Sequence, residues 1–135
     1  GEWYHPFRSV NCVFTYKLLN NLPVTVFKGH TRTSTYIDDS INALAEISKN
    51  FKNQEIYNIA STTNHTIEEL AELVIKYTGA NRNLLVHDNG YEFLTTKHKL
   101  VNNDKAVNDL KFEESVKLEE GVEKTVNWMK NYYSI

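Results

Sequence analysis

Hydrophobic positions recur along this chain in short blocks whose period changes several times. Val10, Val13, Phe14 and Leu18, with Lys17, trace one face at helical spacing. Ser9 stands just before them, a residue type that caps helix N-termini. The spacing predicts a helix ending at Asn20-Asn21, because Pro23 prevents its return. The run Val24-Thr25-Val26-Phe27 then reads as a short strand. A second helix is predicted from about Asp38 to Lys49, with Ile41, Leu44, Ala45 and Ser48 as its inward face. Phe51 to Gln54 reads as a loop, and Ile56-Tyr57-Asn58-Ile59 as a buried strand.

Thr66-x-x-Glu69 is a capping-box signature directly before Ile67, Leu70, Ala71, Val74 and Tyr77 at helical spacing. Gly79 is placed to terminate that helix in a left-handed conformation. Leu84-Leu85-Val86 reads as a short strand, Asn89-Gly90 as a turn and Tyr91 to Lys99 as a loop. Leu100-Val101 is read as a further strand, and Asp104 to Leu110 as a short helix. A longer helix from Leu118 to about Tyr132 carries Leu118, Val122, Thr125, Val126, Met129 and Tyr132 on one face. The pattern is α/β: mixed helices and short strands, without repeats or linkers, as one domain over residues 1–135.

Composition narrows the function. Hydrophobic residues make up 41% of the 135, yet no run approaches the roughly 20 apolar residues of a membrane span. A net charge of −2 gives no footprint for non-specific nucleic-acid binding. No nucleic-acid or membrane partner is therefore expected. The single Cys12 excludes an intramolecular disulfide and fits a reducing, cytoplasmic setting. Its plainer reading is a small buried residue on the first helix. The five histidines show no metal-ligand spacing, and no Gly-x-Ser-x-Gly elbow marks a hydrolase. Asn64-His65-Thr66 matches a glycosylation acceptor and is read as chance.

The chemistry concentrates in Gly29-His-Thr-Arg-Thr-Ser-Thr-Tyr-Ile-Asp-Asp39. Hydroxyl side chains around Arg32, between a strand and a helix N-terminus, suit an anion such as a phosphate. The alternative is a turn in which Thr35-x-x-Asp38 caps the next helix.

Arg32-x-x-x-Tyr36-x-x-Asp39 resembles the Arg-Asp-x-x-Tyr-Val-x-Asp segment of the extended short-chain dehydrogenase/reductases, the NAD-dependent epimerases and dehydratases of nucleotide sugars. Glu55-Ile-Tyr-Asn-Ile-Ala-Ser61 resembles their Glu-x-Tyr-Asn-Ile-Gly-Gly, with Ala60-Ser61 in place of Gly-Gly. Val101-Asn-Asn-Asp-Lys-Ala106 and Leu110-Lys-Phe112 resemble Ile-Asp-x-Ser-Lys-Ala and Leu-Gly-Trp, with Asn102 and Lys111-Phe112 departing. Leu118-Glu-Glu-Gly121 and Thr125-Val-Asn-Trp128 are similar to the last helix. The ordered set covers nearly the whole chain and is most like that of the nucleotide-sugar 4,6-dehydratases, such as those acting on dTDP-glucose.

The resemblance implies the C-terminal substrate-binding domain of such an enzyme. Arg32 is then the diphosphate contact, and Arg8 lies near the nucleotide. Thr25 and Phe27 lie against the base, and Lys97 reaches a phosphate or ribose. Each also has a plain structural reading: Arg8 and Lys97 as solvated cations, Phe27 as core. No glycine-rich dinucleotide fingerprint and no Tyr-x-x-x-Lys pair occurs. The resemblance places those, with the NAD site, in an N-terminal Rossmann domain ahead of this chain. Catalytic and cofactor-binding residues are thus expected to be absent from this chain, which alone is expected to be inactive. The Tyr57-Asn58-Ile59 strand and the Ile41/Leu44 face are expected to pack on that missing domain. Without it, homo-oligomerisation is expected to cover them. The competing readings are a stand-alone nucleotide-binding module and a non-catalytic interaction domain.

Overall fold

A capping box starts the most deeply buried helix. The structure, a computed structural model, describes residues 1–49, 53–89 and 96–135. Thr66 Oγ1 accepts from the Glu69 N–H at 3.0 Å, and Glu69 Oε2 accepts from the Thr66 N–H at 2.7 Å. This fixes the start of α3 (Ile67–Thr78), and Gly79, at φ 72°, ends it as expected. Leu70, Ala71 and Val74 on α3 are fully buried. Helix α1 (Val10–Leu19), strand β1 (Val24–Phe27) and helix α5 (Leu118–Tyr133) pack against that face.

Local signals set α1 as predicted. The Ser9 hydroxyl accepts from the Cys12 N–H at 3.3 Å, and Asn20 closes the last turn. Its buried side is Cys12, Phe14, Thr15 and Leu18, so Val13 and Lys17 lie at its margin. On α5, Val122, Val126 and Met129 are buried, whereas Tyr132, expected on that face, is exposed.

Among the described residues the strands form two separate pairs. β1 runs parallel to β4 (Leu85–Asp88), with Val24 opposite Leu85 and Phe27 opposite Asp88. Leu84, expected to open that strand, instead closes a 3-10 turn over Arg82–Leu84 capped by Asn81. β2 (Thr31–Thr33) pairs antiparallel with β3 (Asn64–Thr66), Arg32 opposite His65. Thr-Arg-Thr carries no apolar alternation that would announce a strand.

A second, smaller core joins α2 (Ile37–Lys49) to α4 (Asp104–Leu110) through Ala43, Ala106, Leu110 and Phe112. Here the expected inward face of α2 is corrected. The stripe Asp39, Ala43 and Ile47 turns inward, while Ile37, Ile41 and Leu44 are 57%, 52% and 60% exposed. The helix carries two candidate stripes, and spacing alone does not choose between them. Residues 56–59 are also corrected: they form no strand, since no neighbouring strand pairs with them among the described residues. Tyr57 and Ile59 still lean on the α4 cluster while Ile56 points outward, 82% exposed. Leu100 and Val101 likewise form no strand and are exposed. Phe51, Lys52, Gly90 and residues 91–95, read above as loop or turn, lie outside the described residues. Among the described residues no helix is long and apolar enough to cross a membrane.

The start of α2 is set by Asp39 and not by the Thr35 cap. Thr35 Oγ1 is taken by the Ser61 N–H at 2.8 Å. Asp39, 1% exposed, accepts from the Val116 and Ser115 N–H groups at 3.2 Å each and from the Ser115 hydroxyl. Burial alone pushes its carboxyl pKa up. The Ser115 hydroxyl, the two N–H groups and the nearby Lys124 charge outweigh burial and hold it below the ordinary value. Because the folded pKa is depressed, this stability is present above the unfolded value of about 4 and is lost as pH falls through the folded one. Asp39→Ala leaves the buried Val116 N–H and the partly buried Ser115 N–H without an acceptor. At pH 7 it is expected to cost about 3 kcal/mol, on the order of 10 °C in Tm. Acid titration of the melting temperature should be flatter below about pH 5 in the variant; an unchanged Tm at neutral pH contradicts this account.

Candidate functional site

The polar residues gather around the Gly29 turn. Gly29 adopts φ 70°, a left-handed conformation that suits glycine, and its N–H donates to Glu68 Oε1 at 2.9 Å. The turn carries the chain from β1 into β2. β2 is held on both edges: by β3 on one side and by residues 97–99 on the other. The Thr31 N–H donates to Lys97 O at 2.9 Å, and the Lys99 N–H to Thr31 O at 3.3 Å. The Thr31 hydroxyl lies 3.1 Å from His98 Nδ1.

This arrangement sets Arg32. Its Nη1 donates to Thr31 O at 2.7 Å and to Lys97 O at 3.3 Å. The side chain is half-buried, and no carboxylate lies within 4.0 Å of it among the described residues. Lys97 is exposed, and its side chain passes within 3.6 Å of the Cβ position that a side chain at Gly29 would occupy. Lys28 and Lys99 are exposed on the same turn and segment. The result is a guanidinium held by two carbonyls amid exposed ammonium groups, a chemistry suited to a bidentate anion.

Along β1, Val24 and Val26 enter the core, which turns Thr25 and Phe27 to the opposite face. Phe27 is half-buried, its ring centroid 5.6 Å from that of His30. Arg8 is engaged elsewhere, 4.0 Å from Glu2 and with its guanidinium 5.8 Å from the Trp3 ring centroid. The structure thus brings Arg32 and Lys97 together, sets Phe27 beside their turn and leaves Arg8 on its own segment.

A cleft of about 490 Å³ opens next to this turn. Ser9, Thr33, Ser34, Thr35, Tyr36 and Lys124 are among its lining residues. None of the five expected site residues lines it, but Ser9 follows Arg8 and Thr33 follows Arg32. Ser34 is one of the hydroxyls read around Arg32, but His65 and its tie to Ser34 were missed from the sequence. His65 Nε2 lies 2.7 Å from the Ser34 hydroxyl, a contact between residues 31 positions apart. Only the β2–β3 register reveals it.

No family model and no curated protein matches this sequence. Solved structures do match. An epimerase from the methanogen Methanothermobacter thermautotrophicus superposes with TM-score 0.86 at 24% identity, over 99% of this chain and 40% of that one. A UDP-glucose 4-epimerase from Thermotoga maritima, solved with UDP-glucose, gives 0.83 at 25%, over 96% and 42%. A dTDP-glucose 4,6-dehydratase from Bacillus anthracis, solved with NAD, gives 0.79 at 19%, over 98% and 43%. The fold is that of the C-terminal part of the extended short-chain dehydrogenase/reductases. The α/β class read from the sequence is the class observed. The chain spans about two-fifths of the length of these structures.

Cys12 stands at the wall of the cleft in this extended short-chain dehydrogenase/reductase fold. It is 1% exposed, and its thiol donates to Glu2 O at 3.3 Å. Burial, with the Glu2 charge adding to it, pushes the thiol pKa up to about 11. At pH 8 the thiolate fraction is then about 100-fold below that of a free thiol. Thiol labelling at pH 8 should therefore be at least about 100-fold slower in the folded chain than in denaturant. Comparable rates in the two states contradict this placement.

Proposed function

We propose that this chain, residues 1–135, is the substrate-binding domain of an NAD-dependent nucleotide-sugar 4,6-dehydratase or epimerase. It holds the nucleoside diphosphate of the substrate. The observation that carries the reading is Arg32: a half-buried guanidinium fixed by two carbonyl oxygens, with no carboxylate beside it among the described residues. A cation so placed has its geometry set and its charge uncompensated, which favours an incoming diphosphate. Lys97 adds a point charge to the same phosphates or to the ribose. Thr25 and Phe27 offer β1's outer face to the base, and Arg8, ahead of the first helix, would reach the nucleotide on leaving Glu2 and Trp3. The solved neighbours bound to UDP-glucose and to NAD support the substrate class and the cofactor.

The described residues do not fit a dinucleotide cradle. The two glycines with positive φ serve the β1–β2 turn and the end of α3, and neither opens a helix after a strand. In this reading NAD and the redox chemistry it supplies belong to a Rossmann domain of the complete enzyme. What these residues contribute is binding and orientation of the sugar nucleotide. We place the complete protein in the cytoplasm.

Arg32→Ala is expected to weaken UDP-glucose or dTDP-glucose binding about 10- to 100-fold in the longest encoded form of the protein, read by calorimetry. Arg32→Lys should recover part of the loss, since an ammonium holds one oxygen where the fork holds two. Tm should fall by a few degrees, because the guanidinium also ties β2 to Lys97 O. A variant that loses stability and keeps full affinity overturns the assignment and favours a domain in which Arg32 is structural.

The exposed stripe Ile37, Ile41 and Leu44, with Ile56, fits the surface on which the N-terminal domain rests. The chain by itself is then expected to self-associate through that stripe. Light scattering at increasing concentration should show dimers or larger species, and Ile41→Lys with Leu44→Lys should shift them to monomer. A wild-type chain that stays monomeric at high concentration argues against an uncovered docking face.

A further inference from the structure

We propose that His65 is a positioning residue for the anion site: it holds the backbone that presents Arg32 and touches no ligand itself. The inference rests on the reading of Arg32 as the diphosphate contact. His65 is 5% exposed and stands directly opposite Arg32 in the β2–β3 register. Opposed residues of an antiparallel pair share a face, and so does Ser34, two residues beyond Arg32. The His65 ring spans that face. Its Nδ1 lies 3.1 Å from Thr66 O, and its Nε2 lies 2.7 Å from the Ser34 hydroxyl. A carbonyl can only accept, so Nδ1 donates to Thr66 O, and Nε2 is left to pair with the Ser34 hydroxyl.

Thr66 is the N-cap of α3, locked by the reciprocal bonds with Glu69. A continuous path therefore runs from the buried helix through Thr66 and His65 to Ser34, two positions from the guanidinium. The other flank of β2 is softer. His98, Lys97 and Lys99 are all exposed, and none of the three β2 residues is fully buried. The apolar core does not hold β2, so its position is referred to the buried helix by the backbone pairing with β3 and, through side chains, by the buried imidazole. A bidentate guanidinium–diphosphate contact tolerates displacements of roughly 0.5 Å, so slack in β2 is paid in affinity.

Ser34→Ala removes the hydroxyl and leaves the ring in place; Ser34→Thr retains the hydroxyl. UDP and dTDP are the probes, titrated by calorimetry into the longest encoded form, with Tm recorded for each variant. Ser34→Ala is expected to weaken nucleotide binding about 10-fold with a Tm loss of a few degrees, and Ser34→Thr to restore most of the affinity. His65→Phe, which keeps ring volume and drops both bonds, should match Ser34→Ala in affinity. In an Arg32→Ala background, Ser34→Ala should add less than about 2-fold, because its effect passes through the guanidinium. The inference is overturned if Arg32→Ala weakens binding while Ser34→Ala does not. It is equally overturned if Ser34→Ala costs the same factor with and without Arg32. If Arg32→Ala itself leaves binding intact, the diphosphate reading fails first and the positioning role falls with it.

Discussion

β2 is three residues long and has no hydrophobic anchor, and the placement of the candidate site depends on how that strand is held. Thr31, Arg32 and Thr33 are each only half-buried. Hydrophobic burial is non-directional and proportional to area, so it does little to fix so short and polar a segment. Hydrogen bonds are directional and do. β2 receives them on both edges, from β3 and from residues 97–99, and Arg32 adds its own bonds to Thr31 O and Lys97 O. A segment ordered by polar contacts can leave its cation facing solvent. A segment ordered by core packing would have drawn its long side chains inward.

The same principle orders the second core. Asp39 pins α2 to residues 115–116, Thr35 accepts from Ser61, and Asn103 Nδ2 donates to Ala60 O at 2.8 Å. The Ser61 hydroxyl in turn donates to Glu114 Oε1 at 2.7 Å. Each of these bonds contributes about 1 kcal/mol net, and more where a carboxylate accepts. Their larger effect is on geometry, because a buried polar group has few satisfied positions. The small apolar cluster of Ala43, Ala106, Leu110 and Phe112 permits several packings of α2 on α4; the polar ties select one.

What was legible in the sequence was local. Ser9, the Thr66/Glu69 capping box and Gly79 each act within four residues, and each stands where the spacing put it. What was not legible depended on partners distant in the chain. β2 became a strand because residues 64–66 and 97–99 came alongside it, and nothing in Thr-Arg-Thr announces that. Residues 56–59 have the composition of a strand and the alternating burial of one, but no neighbour pairs with them among the described residues. The Thr35 cap failed for a related reason. Its hydroxyl had a long-range suitor, the Ser61 N–H, that a four-residue motif does not contain. Of the candidate site, Arg32 and Lys97 were read as separate cations, while their coupling through one carbonyl and the Ser34–His65 tie needed the tertiary register.

Chain distance between the anion turn and the exposed apolar stripe is short. Ile37, the first residue of the stripe, lies five positions after Arg32, and Thr33 to Ile37 line the cleft between them. Asp39 clamps the start of α2, so these five residues connect two fixed points, β2 and the first turn of the helix. A domain resting on Ile37, Ile41 and Leu44, as proposed above, would form a wall of that cleft as well as cover the stripe. Removing water from the cleft would strengthen the attraction between Arg32 and a bound diphosphate, because charge pairs interact more strongly in a lower dielectric. Covering the apolar face and tightening the anion site are then one event. The side chains that bear the two roles therefore stand within two turns of the same helix start.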